Sequence, residues 1–491
     1  MRSEADVVVA GAGPVGLMLA IELKRRGIEP LLVEKRQEPS YFVKALGITP
    51  RMLEIWDQVG LLEEALAAGI FLRGTTALRN GVEIESQDVP LQGQGYGFFV
   101  LAQYEVERML RTALARLGGR IEWGVTLGSV EDRGDRVVVT LQRDDGSESG
   151  AECRYLAGCD GAHSIVRHSL GLDYEGEAMP MTFMLGDVCV DGPLPRGRAY
   201  RGLHFEDGQM VNQVAAIPIP GDPRRYRLSM AAPTACWEES ADLTTPPSLD
   251  QIAAAAGPAF PPGMVLSNLR WSSFYRVSHR IVSRYAQGRC FLAGDAAHIH
   301  PPIGGQGMNT GLQDVFNLGW KLALAVTGRA SPDLLESYDA ERRPVGLAVV
   351  TRTSGRMAKA IEGEDSGETD AQMRDDSQLF VDYRDSRWVA RDARVAVDAL
   401  VGPRPGDRAP EVGSLRRAYV DAAARLLDLL RHPGHTLLFY ADETTDESHY
   451  RVFANVADEL RQRCGDAIAC QGIAAPAAQR IELERFPWST D

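Results

Sequence analysis

Asp6-Val7-Val8-Val9-Ala10-Gly11-Ala12-Gly13-Pro14-Val15-Gly16 is the stretch on which the fold turns. Its apolar opening is rich in β-branched residues and reads as a buried strand; the glycines follow, then a helical pattern through Leu17, Ala20, Ile21 and Leu23. In such a strand-turn-helix, Gly11 permits the tight turn, Gly13 lets backbone approach a pyrophosphate, and Gly16 lets helix and strand pack closely. The helix start supplies N–H donors and a positive dipole end for phosphate. A second strand from Glu29 ends at Glu34, where an acidic side chain can accept hydrogen bonds from a ribose, and Lys35 and Arg36 follow. The unit predicts a dinucleotide site without saying which dinucleotide.

Composition narrows the partners. The chain has 491 residues, 44% apolar and 24% charged, enough for two or three domains with real cores. Its formal charge is -14, with no long run of Lys or Arg, so the electrostatic footprint of a nucleic-acid binder is missing. Val7 to Ile21 superficially resembles the apolar part of a secretory signal, but Glu4 and Asp6 spoil a basic leader and three glycines interrupt it. No other segment approaches the roughly 20 apolar residues that span a bilayer. Seven cysteines without a Cys-x-x-Cys pair argue against a disulfide framework, a zinc site or a dithiol centre. Small-molecule partners and a reducing cytoplasm are the expectation.

Two later signatures narrow the cofactor. Arg154 to Cys159 reads as a buried strand leading into Asp160-Gly161-Ala162-His163-Ser164, with Ser164 as a helix cap. Gly288 to Ala293 is another strand, delivering Gly294-Asp295-Ala296-Ala297-His298 to a loop. A carboxylate at Asp295 suits a ribityl hydroxyl because it only accepts. Beyond Pro301-Pro302 lie Gly304-Gly305-Gln306-Gly307-Met308-Asn309, then an amphipathic helix with Leu312, Val315, Phe316, Leu322 and Ala323 on one face. Its positive end would stabilise the negative charge of a reduced isoalloxazine.

With these three motifs in this order, the chain resembles the class A flavoprotein aromatic hydroxylases, the group that holds p-hydroxybenzoate hydroxylase, phenol hydroxylase and the polyketide hydroxylases. The likeness runs from about residue 5 to 355 and ends near Tyr338-Asp339-Ala340-Glu341-Arg342-Arg343-Pro344. The resemblance implies an α/β fold: a Rossmann-like FAD-binding domain (1-172 and 282-395), an inserted β-sheet substrate domain (173-281, with about 71-99 contributing) and a thioredoxin-like C-terminal domain (400-491). It implies FAD contacts at Gly11, Gly13, Pro14, Gly16, Glu34, Lys35, Gln103, Asp160, Gly161, Asp295 and Gly305 to Asn309, and a flavin-facing loop built on Pro301, Gly304 and Gly305. Lys44 stands where relatives carry arginine, which keeps the charge and loses the planar fork. Arg167 is a candidate for the phosphate of NADPH. No second glycine fingerprint appears, since Gly93 to Gly97 lacks strand and helix context.

The implied reaction is hydroxylation of a phenolic or polycyclic aromatic ring through a flavin C4a-hydroperoxide, consuming NADPH or NADH and molecular oxygen. Rivals keep the flavin and change the chemistry, to Baeyer-Villiger insertion or antibiotic inactivation; a different-class rival is a non-catalytic flavin-binding interaction protein. His298 and His300 are close, but no carboxylate or cysteine completes a metal set nearby in sequence, so no metal is expected. In the substrate stretch, Met179, Met181, Phe183, Met184, His204, Phe205, Met210, Tyr226 and Trp237 could line a pocket or fill the sheet core. Residues 356 to 400 read as charged and irregular, with an exposed loop at Glu362 to Glu368, and Gly402 to Pro410 as a linker. In the tail, Cys464 and Cys470 have the wrong spacing for redox work, which leaves packing or homodimer contact, and no final strand is recognisable before Asp491.

Overall fold

The computed structural model describes residues 3–41, 45–88, 96–236, 243–362, 369–390, 402–413, 415–417, 420–475 and 488–489. The chain divides into two compact units. The first comprises Met1–Lys24, Ile28–Met52 and Glu64–Leu379. The strand Glu4–Ala10 forms where the β-branched run stands, and the helix Pro14–Lys24 starts on Pro14, whose fixed φ suits a first helical residue. Val7, Val8, Val9, Leu17, Met18 and Leu19 are all fully buried.

An eight-stranded sheet is built outward from Glu4–Ala10. It pairs in parallel with Leu31–Glu34 on one side and Glu148–Gly158 on the other; Ile121–Trp123 and Cys290–Leu292 extend the parallel set. Such sheets are sequence-legible because both faces are covered and the strands are continuously apolar. A second eight-stranded sheet holds the inserted strands: His298–Ile299, Val265–Val282, Tyr174–Asp191, Arg225–Ala231, Gln209–Pro218, Arg198–Glu206, Gly74–Arg79 and Val82–Asp88, in that spatial order. One face packs on the helix Leu249–Ala256 through Met184, Val188, Val214, Tyr226, Leu228 and Ile252. Met184 and Tyr226 are thus core residues, whereas Phe183 belongs to the opposite face.

The second unit comprises Arg25–Gly27, Leu53–Glu63 and Phe380–Asp491. Its five-stranded sheet runs Val420–Ala424, Leu415–Arg417, Trp488–Ser489, Ile468–Ala474, His435–Ala441. The last two are parallel and joined by the helix Glu447–Cys464, capped by Asp446. Two sequence expectations are corrected here and upstream. A final strand does exist at Trp488–Ser489, too short to show as periodicity. Residues after 355 are not irregular throughout: one helix runs Glu336–Glu362 and another Asp370–Asp376. The expected loop at 362–368 lies, from 363, outside the described residues.

Candidate functional site

The three signatures, remote in sequence, meet at one edge. Ala10, Gly158 and Leu292 end neighbouring parallel strands in register, Ala10 opposite Gly158 and Gly158 opposite Leu292. Just past the strand ends, Gly11 N donates to Val33 O, Cys159 N to Ala10 O and Ala293 N to Gly158 O at 2.8–3.0 Å. The carboxyl ends of parallel strands are where open α/β sheets bind ligands. Space there is selective. A Cβ on Gly11 would stand 2.4 Å from Cys159 O, and one on Gly16 1.9 Å from Gly11 O, whereas one on Gly13 or Gly161 would meet nothing within 4 Å. The turn is therefore closed toward the protein and open on the side a pyrophosphate would approach.

Two carboxylates face this edge. Glu34 ends the second strand, and its oxygens accept from Ala12 N at 2.8 Å and from Arg36 N and Nε at 3.0 Å. Burial alone would raise its pKa; the Arg36 hydrogen bonds and that from Ala12 outweigh it and hold the group below the usual range. Asp160 Oδ2 accepts from Ile165 N at 2.7 Å, while Ser164 caps the helix Ile165–Ser169 through Arg167 N. Asp160 Oδ1 is buried without a hydrogen-bond partner among the described residues, and burial pushes this carboxyl up. An orphaned acceptor at the strand edge fits a hydroxyl-bearing ligand such as a ribityl chain.

The third signature is latched from behind by residues that sequence reading left without a role. Asp314, fully buried, accepts from Gly294 N at 3.2 Å, His298 Nε2 at 2.8 Å and Arg342 Nε at 2.8 Å. Burial would raise the Asp314 carboxyl, but Arg342 and His298 hold it below its ordinary value. Tyr338 donates to Leu292 O at 2.7 Å, and Lys321 meets Glu341 at 2.6 Å. Burial lowers Lys321 to about 8, with Glu341 opposing. The signal for Arg342 was present in the Tyr338 to Pro344 segment; its partner Asp314 sits unmarked within a helix.

The loop after Ile299 carries the glycines. Gly304 and Gly305 have φ of 73° and 63°, a conformation other residues rarely adopt. The helix Gly307–Val326 starts at once, with Gln306 at its cap position. Asn309, fully buried, donates to Gly47 O at 2.9 Å and Gly305 O at 2.7 Å and accepts from Thr49 N at 3.1 Å. It pins the loop to the strand Gly47–Ile48, so close that a Cβ on Gly47 would lie 3.4 Å from Gly305 Cα. Pro301 is buried and Met308 half-buried.

The loop also springs from the second sheet: His298–Ile299 pairs with Val265–Val282 through Ile281 and Arg280. On the sheet face opposite the helix Leu249–Ala256, Phe183 and Tyr275 stack with centroids 5.6 Å apart, and Tyr275 OH meets Ser229 Oγ at 3.1 Å. The buried Arg227–Asp187 pair, 2.6 Å, lies on this face, with Arg227 over the Trp271 ring. Met184 and Tyr226 lie on the other face, in the core.

Other sequence candidates resolve as follows. Gln103 opens the helix Gln103–Arg116, accepting from Ala45 N and donating to Glu107. Asp295 is exposed, with its carbonyl accepting from Tyr174 OH. Lys35 is exposed beside Glu34; Lys44 and Trp237 lie outside the described residues. Arg167 is 3% exposed; it donates to Ala296 O and Ala162 O and lies 4.0 Å over Tyr174. It ties the second signature to the third. His300 donates Nδ1–H to Pro301 O, and burial lowers it to about 4. Among the described residues, no group of three His, Cys, Asp or Glu is placed for a metal, and no helix is long and apolar enough to cross a membrane.

The family model described as FAD binding domain matches residues 4–353. Over 372 residues the chain is 39% identical to 6-methylpretetramide 4-monooxygenase of Streptomyces rimosus, covering 74% of this chain and 63% of that one, under two thirds of its length. It is 36% identical to rifampicin monooxygenase of Rhodococcus hoagii over 71% of this chain and 70% of that one. Among solved structures, aklavinone-11 hydroxylase in ternary complex with FAD and aklavinone superposes with a TM-score of 0.78 at 25% identity, covering 99% and 92% of the two chains.

Proposed function

Because the chain belongs to the FAD binding domain family, with all three signatures inside the matched segment, we propose that it is an FAD-dependent, NAD(P)H-consuming monooxygenase that hydroxylates a phenolic or polycyclic aromatic compound. The observation that carries this reading is the convergence of Gly11, Asp160 and Gly294 on neighbouring strand ends, beside a loop continuous with the aromatic sheet face.

Bound FAD would supply two-electron reduction by the nicotinamide and activation of oxygen. The chain would hold the pyrophosphate at Gly11 to Gly16 with Pro14 at the helix start, the ribose at Glu34, and the ribityl chain at Asp160 and Asp295. The amino end of the helix Gly307–Val326 would place its dipole where charge develops. Phe183 and Tyr275 would orient the ring, and the loop from Pro301 to Gly305 would screen it from water.

We read the domains as 1-172 with 282-395, 173-281, and a thioredoxin-like 400-491; a cytoplasmic setting and a homodimer through the tail belong to the same reading, the latter tested by sedimentation. One observation favours a second substrate use: the relative named rifampicin monooxygenase points to antibiotic inactivation. The test is NAD(P)H oxidation by the flavin-loaded protein with phenols, polycyclic aromatic ketones and rifamycins, with products weighed. One oxygen on an aromatic carbon supports hydroxylation; ring opening of an antibiotic replaces it with the second reading; no stimulation by any compound opposes both.

A further inference from the structure

The glycine turn is held by a group beyond the matched segment. Asp376, the last residue of the helix Asp370–Asp376, is 1% exposed. Its Oδ1 accepts from Gln306 Nε2 at 2.7 Å, and both oxygens accept from Arg356 Nη1, at 3.0 and 2.7 Å. Arg352 Nη2 donates to Gln306 Oε1 at 2.8 Å, so the Gln306 amide is fixed at both ends. Gly304 packs so tightly on the carboxylate that a Cβ there would lie 2.5 Å from Asp376 Oδ2.

The residues after Asp376 strengthen the attachment. Gln378, at φ 57°, donates to Thr310 Oγ1 at 2.9 Å and accepts from Gln313 Nε2 at 2.6 Å and Thr49 Oγ1 at 3.2 Å. Asp376 to Gln378 therefore grips both the turn and the first turns of the helix Gly307–Val326. A carboxylate buried this deeply is costly unless paired, and burial raises its pKa even beside Arg356.

We propose that Asp376 is a positioning residue for the flavin-facing turn, fixing Gly304 to Gln306 through its contacts with Gln306 and Arg356. This rests on the reading that the flavin ring lies at the amino end of the helix Gly307–Val326. Removing a negative charge behind that turn, in a poorly screened setting, stabilises an anionic reduced ring.

The test uses the FAD-loaded full chain with D376N, which keeps shape and removes the carboxylate charge beside Arg356, and the double variant D376N/R356Q, which removes both charges. The flavin midpoint potential is measured by dye equilibration, and FAD affinity by fluorescence. The potential rises in D376N and returns to the wild-type value in the double variant, while FAD affinity falls tenfold or more in both. An unchanged potential in D376N, or an equal rise in the double variant, overturns the proposal and leaves Asp376 as an ordinary packing group. Should D376N not fold, the double variant decides, because it removes both charges of the Asp376–Arg356 pair: unchanged FAD affinity there overturns the proposal. A wild-type chain that takes up no FAD defeats the underlying reading instead.

Discussion

A methyl group on Gly16 would stand 1.9 Å from a backbone oxygen that cannot swing away. Gly16→Ala is therefore expected to abolish FAD retention, read as flavin absorbance per mole of purified protein, whereas Gly13→Ala loses affinity only where a ligand approaches. His300 gives a second residue-scale outcome. Its folded pKa, about 4 against an ordinary 6.5, means that the unfolded chain binds a proton first as pH falls. Stability then drops between pH 6.5 and 4 by roughly 3 kcal/mol, and His300→Gln flattens that slope in urea melts. At this scale the sequence pattern was enough to bring Gly11, Gly16, Glu34 and Asp160 together at the strand ends, because a tight strand-turn-helix constrains residue type and spacing together. Asp314 and Asp376 were not legible: each gains its role from partners brought in by tertiary contact, and a buried carboxylate in a helix has no pattern of its own.

Among elements, the helix Glu336–Glu362 departs most from sequence expectation. Pro344 lies inside it, where the usual rule stops or kinks a helix. The helix is instead held by tertiary bonds: Tyr338 to Leu292 O, Arg342 to Asp314 and to Thr310 O, Arg343 to Val282 O. Arg342→Met removes the guanidinium beside the buried Asp314, leaving it only His298 and Gly294 N, and is expected to cost about 3 kcal/mol in denaturant unfolding. Ser164→Ala, which removes the hydroxyl accepting from Arg167 N, is expected to cost about 1 kcal/mol. The strands of the parallel sheet were readable from apolar runs, while the inserted sheet needed coordinates to tell which alternate side chains face the helix Leu249–Ala256 and which face away. That choice is the difference between Tyr226 in the core and Tyr275 on the opposite face, and a period of two alone cannot orient it.

For the whole molecule, ligand linkage offers the plainest check. FAD binding only the native state at a hundredfold its dissociation constant adds about 2.7 kcal/mol, so the thermal midpoint should climb with FAD concentration and ignore AMP at equal concentration. All seven cysteines are free, and reductant should leave that midpoint where it was. The strand His298–Ile299 belongs to the inserted sheet by its hydrogen bonds, and runs by chain continuity into the glycine turn. Sheet and turn are thus two ends of one short drawbar, with only His300, Pro301 and Pro302 between the strand and the turn Ile303–Gly305.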